Sequence, residues 1–445
     1  MKKNYFTRII RLILSVIPVI ALASSCATTQ PTIDSKDLSY LYNPSKNPLN
    51  PLYNVTNTSD DQSVLSVSFK SGELFFSEAN PEGIPKSMIL ITVKLFNMTQ
   101  GRILADTAYY NLSIIKDENN LEYIYNIPLK TGAGSEYVAE VKILDKLRSI
   151  VAQSFISFNT LSDDNRYNFR AQDHFVKNEL FSPVVRVNDY VNLIYLKKPV
   201  DSLFISYYKP FSAIPDPPSM LLPQKTVDYD PERIVPLPYS DTLPMMFPKE
   251  GIYKCTTGRD ISEGYTFFNF GPDFPGMTTP ETMIGPLAYL ATPGQLDSMR
   301  LAVKPKMALD EFWIKCGGNV DKSRELIRIY YTRVYFSNFY FTSFTEGWRT
   351  ERGMIYIIYG PPDKVYKSND GESWGYRKPV IKSSWGSRYK VEEQYLFFNF
   401  KKRSNIFSGN DYFLSRSESL VTLWDRAVNS WKKGIVFRLD NPEDF

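Results

Sequence analysis

The sequence is poor in the residues on which most nucleophilic and metal chemistry depends. Its 445 residues include one histidine, His174, and three cysteines. A histidine-based triad could be built only around His174, which lies in a polar stretch where histidine is more often solvated than catalytic. The sequence also lacks the spaced ligands of a zinc site and the glycine loops that bind phosphates. We therefore predict no catalytic residue, no metal and no cofactor.

The charge balance excludes another class of protein. The chain has 52 basic and 48 acidic residues, and residues 1–25 hold four basic and no acidic ones, so the remainder is formally neutral. A nucleic-acid-binding protein needs an excess of basic residues on one surface. We expect no nucleic-acid partner.

The chain begins with the pattern of a cleaved leader. Basic residues precede an apolar run from Leu12 to Leu22, which is too short for a permanent membrane span. Small residues then lead to Cys26, and this arrangement resembles the lipobox of bacterial lipoproteins. The resemblance implies a signal peptide over residues 1–25, a diacylglycerol on Cys26 and an amino end acylated with a chain such as palmitate.

The residues that follow predict where the protein lies. No sequence after Cys26 resembles an inner-membrane retention signal or a surface-export signal. We therefore expect a lipid anchor on the periplasmic face of the outer membrane. Residues 26–54 are rich in Thr, Ser, Pro and Asn and have no sustained periodicity, which predicts a tether.

Two segments, residues 55–160 and 175–290, alternate apolar and polar side chains and predict β-sandwich domains of immunoglobulin-like architecture. The second segment contains a proline-rich insertion, residues 215–248, with nine prolines in 34 residues. Such a density of proline disfavours a helix or a central strand. The insertion is either a loop packed over the sandwich or a strap that binds a partner.

The period becomes helical in residues 291–445. A capping threonine and a proline at Thr292-Pro293 start the first of three predicted helices, the last of which ends near Phe341. The apolar run Met354 to Tyr359 predicts a strand, and a late strand is predicted from Tyr395 to Phe400. The predicted fold class is mainly β, with a C-terminal mixed helix and sheet domain.

Two cysteines remain after lipidation of Cys26. Cys255 and Cys316 form an even number in an oxidising compartment, which permits a disulfide. Two buried free thiols are the equal alternative, because a sequence does not give their separation.

A series of motifs in residues 290–440 resembles the GWxTD-domain proteins, which are envelope proteins typical of Bacteroidota and some related phyla. The matching residues, in chain order, are Glu311-Phe312-Trp313, Arg333, Asn338, Gly347-Trp348-Arg349-Thr350, Arg352-Gly353, Ile355 to Gly360, Pro361-Pro362-Asp363, Glu372 to Tyr376 and Tyr395 to Phe400. One residue departs from the family pattern, since Glu351 replaces the aspartate. A weaker pattern in the same region resembles the SmpA-type lipoprotein subunit of the outer-membrane barrel-assembly machinery.

The motif has a structural and a functional interpretation. A corner that joins a helix to a strand explains the motif by packing alone, with Glu351 pairing with Arg352, and a binding site at that corner is the alternative. The candidate motif residues are Gly347, Trp348, Thr350, Glu351, Arg352, Gly353, Gly360, Pro362 and Asp363.

These features favour a non-enzymatic outer-membrane lipoprotein. We expect a scaffold or adapter in a secretion or outer-membrane assembly complex, with an envelope protein as its partner. A glycan- or peptide-binding module is the first alternative and a hydrolase the second, because the two acids of a glycosidase can lie far apart in a chain.

Overall fold

The computed structural model describes residues 36–440 except 44, 80–82, 100, 219–228, 261, 369 and 379–392. The predicted signal peptide, Cys26 and the first part of the tether lie outside the described residues. The protein is mainly β, with several antiparallel sheets and a C-terminal helix and sheet region, as predicted. In the described part of the chain, no helix is long and apolar enough to cross a membrane.

The strands are β1 Leu52–Asn57, β2 Gln62–Lys70, β3 Lys86–Asn97, β4 Ile103–Ile115, β5 Glu122–Lys130, β6 Glu136–Asp145, β7 Ile150–Asn159, β8 Phe169–Asp173, β9 Val191–Tyr195, β10 Ser202–Tyr208, β11 Arg233–Pro238, β12 Gly251–Thr256, β13 Tyr265–Asn269, β14 Lys364–Lys367, β15 Gly371–Arg377, β16 Tyr395–Lys402 and β17 Tyr412–Leu414. The α-helices are α1 Pro280–Ile284, α2 Pro293–Arg300, α3 Pro305–Gly317, α4 Val320–Phe341, α5 Glu351–Tyr359 and α6 Glu418–Lys432.

The first β-sandwich forms as the alternation predicts. One sheet has the order β1-β2-β5 and the other the order β4-β3-β6-β7. Side chains at every second position of β2 and β3, such as Leu65, Val67, Ile89 and Ile91, are buried in a common core. This burial is the expected result of the two-residue period of a strand.

The second sandwich combines the pair β8-β9 with a sheet of order β11-β10-β12-β13. Phe169 and Ala171 of β8 lie in its core, so this domain starts before the predicted boundary at residue 175. Part of the proline-rich insertion forms the edge strand β11, which pairs only with β10 among the described residues. An edge is the place where a strand tolerates proline, because one side of its backbone needs no partner.

The outer face of this four-stranded sheet is covered by the C-terminal region. Ile252 and Phe268 of the sheet form a cluster with Phe344 and Phe407. Residues of α1 and the turn after it, including Ile284 and Leu287, belong to the C-terminal core although they precede the predicted boundary between residues 290 and 291. The second and third domains are therefore joined by a continuous apolar contact.

The C-terminal domain packs its helices on an antiparallel sheet of order β14-β15-β16-β17. Thr292 caps α2 as predicted, with its hydroxyl accepting from the backbone of Gln295. The predicted strand over Met354 to Tyr359 is wrong, because these residues form α5. Every residue from Arg352 to Tyr359 is buried, and a segment buried on all sides has no periodicity that distinguishes a helix from a strand.

The described part of the predicted tether packs against the other domains. Residues Ser39–Tyr42 form a short 3-10 helix, and Leu38 and Tyr42 are buried in the C-terminal core. The backbone N–H of Leu38 donates to Val365 O at 2.8 Å, and the Tyr40 hydroxyl donates to Gln153 O of β7 at 2.7 Å. The segment therefore connects the first and third domains, and the prediction of a tether is wrong for this part.

Of the two alternatives for Cys255 and Cys316, the structure has the buried free thiols. Cys255 lies in the core of the second sandwich and Cys316 in the core of the C-terminal domain, and both are buried free cysteines. Burial raises the pKa of the Cys255 thiol to about 12, so the thiol is neutral.

Tyr42→Phe tests whether the N-terminal segment stabilises the C-terminal domain. The Tyr42 hydroxyl donates to the carboxylate of Glu372 at 2.8 and 2.9 Å, and the variant removes this bond but keeps the ring. We expect a loss of about 1.5 to 3 kcal/mol in the free energy of unfolding, measured by urea denaturation. Tyr109→Phe, at a tyrosine that is 66% exposed, is the control and changes stability little. Equal stability of both variants would remove the proposed role of this contact.

Candidate functional site

The turn of the GWxT motif packs closely on the backbone of α4 and on the first turn of α5. A Cβ atom on Gly347 would lie 1.9 Å from Ser337 O of α4, and one on Gly353 would lie 2.0 Å from Gly347 O. Both distances are far below any real contact. Glycine is therefore required at these two positions by the close approach of backbone to backbone.

Trp348 anchors this corner in the core. Its side chain is 1% exposed and lies against Gly285, where a Cβ atom would be 3.2 Å from the indole ring. Its backbone N–H donates to Oδ1 of Asn338 at 3.0 Å, and its carbonyl accepts from the Tyr289 hydroxyl at 2.6 Å. The guanidinium of Arg349 covers the ring at 4.1 Å from its centroid. These contacts favour the structural interpretation of the motif.

Thr350 and Glu351 begin α5 and hold it to the strand β17. The Thr350 hydroxyl accepts from Gly353 N at 3.0 Å, which caps the helix. The Glu351 carboxylate accepts from the backbone of Leu414 and pairs with Arg416 at 3.1 Å. The predicted pair of Glu351 with Arg352 is wrong, because adjacent residues on a helix point in different directions.

Arg352 instead contributes to a buried group of charges that we call the Glu372 cluster, formed by Glu372, Arg352, Lys367, Tyr42 and Trp374. Arg352 and Lys367 lie 3.2 and 3.1 Å from Oε1 of Glu372. The Trp374 indole N–H donates to Oε2 at 3.0 Å, and Tyr42 donates to both oxygens. Glu372 and Arg352 have side chains that are 1% exposed, whereas the Lys367 side chain is 27% exposed, so the carboxylate is buried and the cluster reaches solvent through the lysine.

The surroundings of Glu372 keep its carboxyl group in the ionised form. Burial alone would raise the pKa of the Glu372 carboxyl, but Lys367 and Arg352, with hydrogen bonds from Trp374 and Tyr42, lower it from 4.5 to about 2. The same carboxylate raises the pKa of Lys367 above its usual value, against the opposing effect of burial. A carboxylate held ionised in this way is a poor proton donor or acceptor near neutral pH.

Gly360, Pro362 and Asp363 complete the turn from α5 into the sheet. Gly360 has a φ of 84°, and its carbonyl accepts from the Tyr376 hydroxyl at 2.8 Å. Pro362 is buried, and Oδ2 of Asp363 accepts from the backbone of Arg377 at 2.8 Å. The nine predicted motif residues therefore lie at the two ends of α5: six form the corner where the helix begins, and three form the turn after it ends.

Arg333 binds the carboxyl end of α5, next to Gly360. Its guanidinium donates to the carbonyls of Ile357 and Ile358 at 2.9 and 3.0 Å and stacks over Trp431. Burial lowers the pKa of Arg333 to about 10, yet the group remains cationic at neutral pH. A cation at the carboxyl end of a helix is favourable, because the last carbonyls of the helix carry partial negative charge.

One sequence pattern at this site suggests a nucleophile that the geometry does not support. Gly371-Glu372-Ser373-Trp374-Gly375 has the G-x-S-x-G spacing of a hydrolase elbow. Ser373 lies inside the antiparallel strand β15, and its hydroxyl donates to Asn399 Oδ1 at 2.6 Å. A nucleophile elbow requires a sharp turn from a strand into a helix, which is absent here. His174, the only histidine, pairs with Asn192 at 2.8 Å in the second sandwich.

Trp348 and Arg349 of the motif line part of a cavity. This cavity of about 340 Å³ lies between the second sandwich and the corner, lined in part by Trp348, Arg349, Glu346, Glu250 and Asp273. Two of its charged groups are already engaged, because Arg349 pairs with Glu346 and donates to Ser212 O at 2.8 Å. Within the described residues, no group of three or more His, Cys, Asp or Glu side chains could hold a metal ion.

Trp348→Ala tests the structural interpretation. Removing a buried indole leaves a large cavity, so we expect a loss of about 3 to 5 kcal/mol in the free energy of unfolding. Phe175→Ala, at an aromatic ring that is 72% exposed, is the matched control and changes stability by less than about 0.5 kcal/mol. Unchanged thermal stability of Trp348→Ala with lost partner binding would instead assign the corner to recognition.

Glu372→Gln tests the buried ion through its pH dependence. The pKa of Glu372 is lower in the folded chain than the ordinary 4.5, so its contribution is fully present above about pH 4.5 and is lost as the pH falls toward 2. We expect the variant to be less stable at neutral pH and to lose less stability on acidification, measured by urea denaturation across this range. Glu118→Gln, at a side chain that is 80% exposed, retains the wild-type acid dependence. A wild-type slope in Glu372→Gln would contradict the assignment.

Comparisons with known proteins confirm the predicted family resemblance. Residues 251–433 match the family model described as GWxTD domain. The match begins at β12, in agreement with the shared contact between the second sandwich and the C-terminal domain. No curated protein matches the chain.

Solved structures add little. A glycosyl hydrolase family 2 member from Bacteroides cellulosilyticus has 9% identity and a TM-score of 0.19, over 32% of this chain and 19% of its own. A calcium-binding mutant of Bacteroides uniformis beta-glucuronidase 2 has 13% identity and a TM-score of 0.16, over 26% and 14%. This chain therefore spans less than a fifth of either structure, and similarity at this level carries no argument about function.

Proposed function

Because the chain carries a GWxTD domain, we propose that it is a non-enzymatic scaffold or adapter of a cell-envelope complex for secretion or outer-membrane assembly. In this proposal Cys26 carries the lipid and anchors the protein to the periplasmic face of the outer membrane. The proposed anchor rests on the sequence of residues 1–26. The absence of catalysis is supported by the motif residues, which are used to build the corner and the turn at the two ends of α5.

The observation that carries the adapter role is the free edge of the first sandwich. The strand β4 pairs only with β3 among the described residues, which leaves the other side of its 13-residue backbone unpaired. Ile103, Leu104, Tyr109 and Ile115 on this strand are exposed. Proteins commonly protect such edges with lysine or proline. The β4 sequence contains neither, and Asp106 is its one charged residue.

An edge strand without lysine or proline suits one kind of partner. An extended segment of another protein can add to the sheet, with affinity from main-chain hydrogen bonds and specificity from alternate side chains. At the opposite end of this sheet, the backbone of Gln153 on β7 is bound by Tyr40 of the N-terminal segment. The β4 edge is the side of the first sandwich that we assign to the partner.

The glycan-binding alternative has less support. Glycan platforms present exposed aromatic rings, whereas the five tryptophans in the described part of the chain are 5% exposed or less. The most exposed tyrosines there, Tyr109, Tyr190 and Tyr335, lie on separate elements of the first sandwich, the second sandwich and α4.

Crosslinking of the lipidated protein in envelopes of its own host, followed by mass spectrometry, tests the proposal. We expect a stoichiometric envelope protein whose crosslinks map to β4. Tyr109→Lys places a charge on the edge and reduces recovery of the partner by about tenfold, the effect of losing one strong interface residue. Its thermal stability stays near wild type, because Tyr109 is exposed.

Val303→Lys is the matched control. Val303 is 98% exposed in the turn between α2 and α3, so the same charge is introduced at another apolar surface residue. Loss of the partner with Val303→Lys and not with Tyr109→Lys would transfer the contact to the C-terminal domain. Recovery of the protein alone would reject the adapter role and favour a glycan or peptide ligand.

A further inference from the structure

A buried lysine lies on the outer face of the four-stranded sheet of the second sandwich, which the C-terminal region covers. Lys254 is on the central strand β12 and is 1% exposed. Its antiparallel neighbours are Ser206 on β10 and Thr266 on β13, so three polar residues form a row across the sheet face that is otherwise lined by Ile252 and Phe268. Lysine is almost never fully buried without a paired charge, because removing the ammonium from water is costly.

The contacts of Lys254 do not compensate its charge. Its Nζ atom donates to the carbonyl of Ile406, in the loop between β16 and β17. No ion pair to Lys254 is formed among the residues that the structure describes, and an ammonium has two further N–H donors. The neighbouring hydroxyl of Ser206 is buried without a hydrogen-bond partner in the same part of the chain. The sheet face therefore holds more donor capacity than the described residues use.

The lysine lines a cavity of about 310 Å³, which we call the Lys254 cavity and define by Lys254, Arg166, Glu263, Thr266 and Asn405. Three parts of the chain meet there: the connection after β7, the second sandwich, and the loop of residues 404–409 from the C-terminal domain. A cavity of this volume is at the small end of the range for ligand sites.

The groups around the cavity favour an anion. Arg166 is a second cation that forms no ion pair with the described residues, and the amide Nδ2 of Asn405 is buried without a partner there. The Thr266 hydroxyl is a further donor on the same sheet face as Lys254. Glu263 is the single carboxylate of the defining set. Cationic and amide donors that converge in a partly dry site are the usual recognition elements for phosphate, sulfate and carboxylate groups.

We infer that the Lys254 cavity binds a small molecule through an oxyanion group, such as a phosphate, sulfate or carboxylate. The ligand accepts hydrogen bonds from Lys254 and Arg166 and neutralises the buried ammonium. Because the cavity is bounded by three parts of the chain, the bound ligand holds them together. This inference is independent of the adapter role, which depends on the β4 edge.

Ligand binding to the purified full-length mature chain tests the inference. Inorganic phosphate, sulfate and glucuronate are titrated by calorimetry at constant ionic strength, and the tightest of the three identifies the preferred oxyanion. We expect saturable binding with a Tm that rises with ligand concentration, because the ligand stabilises the folded state. No saturable binding of any of the three at millimolar concentration would overturn the inference.

Two substitutions assign the binding to the cavity. Lys254→Met keeps the length of the side chain and removes the charge, and we expect affinity to fall by about tenfold or more, the effect of losing one charge-assisted hydrogen bond. Arg166→Gln lies on the exposed rim, where folding is not at risk, and weakens binding by a smaller factor. Lys304→Met, at an exposed lysine outside the cavity, leaves affinity unchanged. Wild-type affinity in both cavity variants would reject the site.

The pH dependence gives an independent measurement. Burial lowers the pKa of Lys254 to about 8, so the free site loses the charge of this lysine, and keeps that of Arg166, as the pH rises through this value. The charged groups near Lys254 are Glu263, Arg166 and Asp260, with the neutral thiol of Cys255, and the facing loop of residues 404–409 contributes none. Sulfate keeps its charge in this range, so its affinity should fall above about pH 8 in the wild type and stay level in Lys254→Met. A parallel fall in both would place the titrating group elsewhere.

Discussion

A carboxylate can be buried only where cations and hydrogen-bond donors replace the water that it loses. In this protein that condition determines the arrangement of the C-terminal domain around Glu372. Its donors come from α5, β14, β15 and the N-terminal segment, so four elements must be in place before the ion is compensated. Loss of a single donor leaves the buried carboxylate less fully compensated. Because the same carboxylate needs all four elements, their stabilities are coupled.

The GWxT corner positions the helix that supplies Arg352 to the Glu372 cluster. Gly347 allows the motif turn to pack on the backbone of α4, Gly353 allows α5 to pack on that turn, and the cap of Thr350 fixes where α5 begins. This position of α5 points Arg352 toward Glu372 and Glu351 toward Arg416. The motif therefore acts through geometry: it sets the start and the direction of one buried helix. Glu351 fulfils its role with the longer side chain, so the departure from aspartate does not break the corner.

The sequence predicts those elements that bury only one face, because their apolar residues then recur with a regular period. The strands β2 and β3 bury one face, and the pattern at Leu65, Val67, Ile89 and Ile91 shows it. The helix α5 is buried on all sides, so its apolar run has no helical period and predicts a strand. Contacts between residues that are far apart in the chain produce no pattern in the local sequence. Tyr42 and Glu372 are 330 residues apart, and nothing near Tyr42 indicates its partner. For the same reason Lys254 could not be recognised as buried before its neighbours across the sheet were known.

The placement of the N-terminal segment has a mechanical consequence. Tension applied at the amino end, as from the proposed anchor at Cys26, reaches Leu38, Tyr40 and Tyr42 before it reaches any strand of the sandwiches. These residues pass the load to β14 and Glu372 on one side and to β7 on the other. The second sandwich makes none of these contacts, although it is between the two domains in the sequence. A chain held in this way bears force at its amino end through side-chain and backbone bonds in parallel.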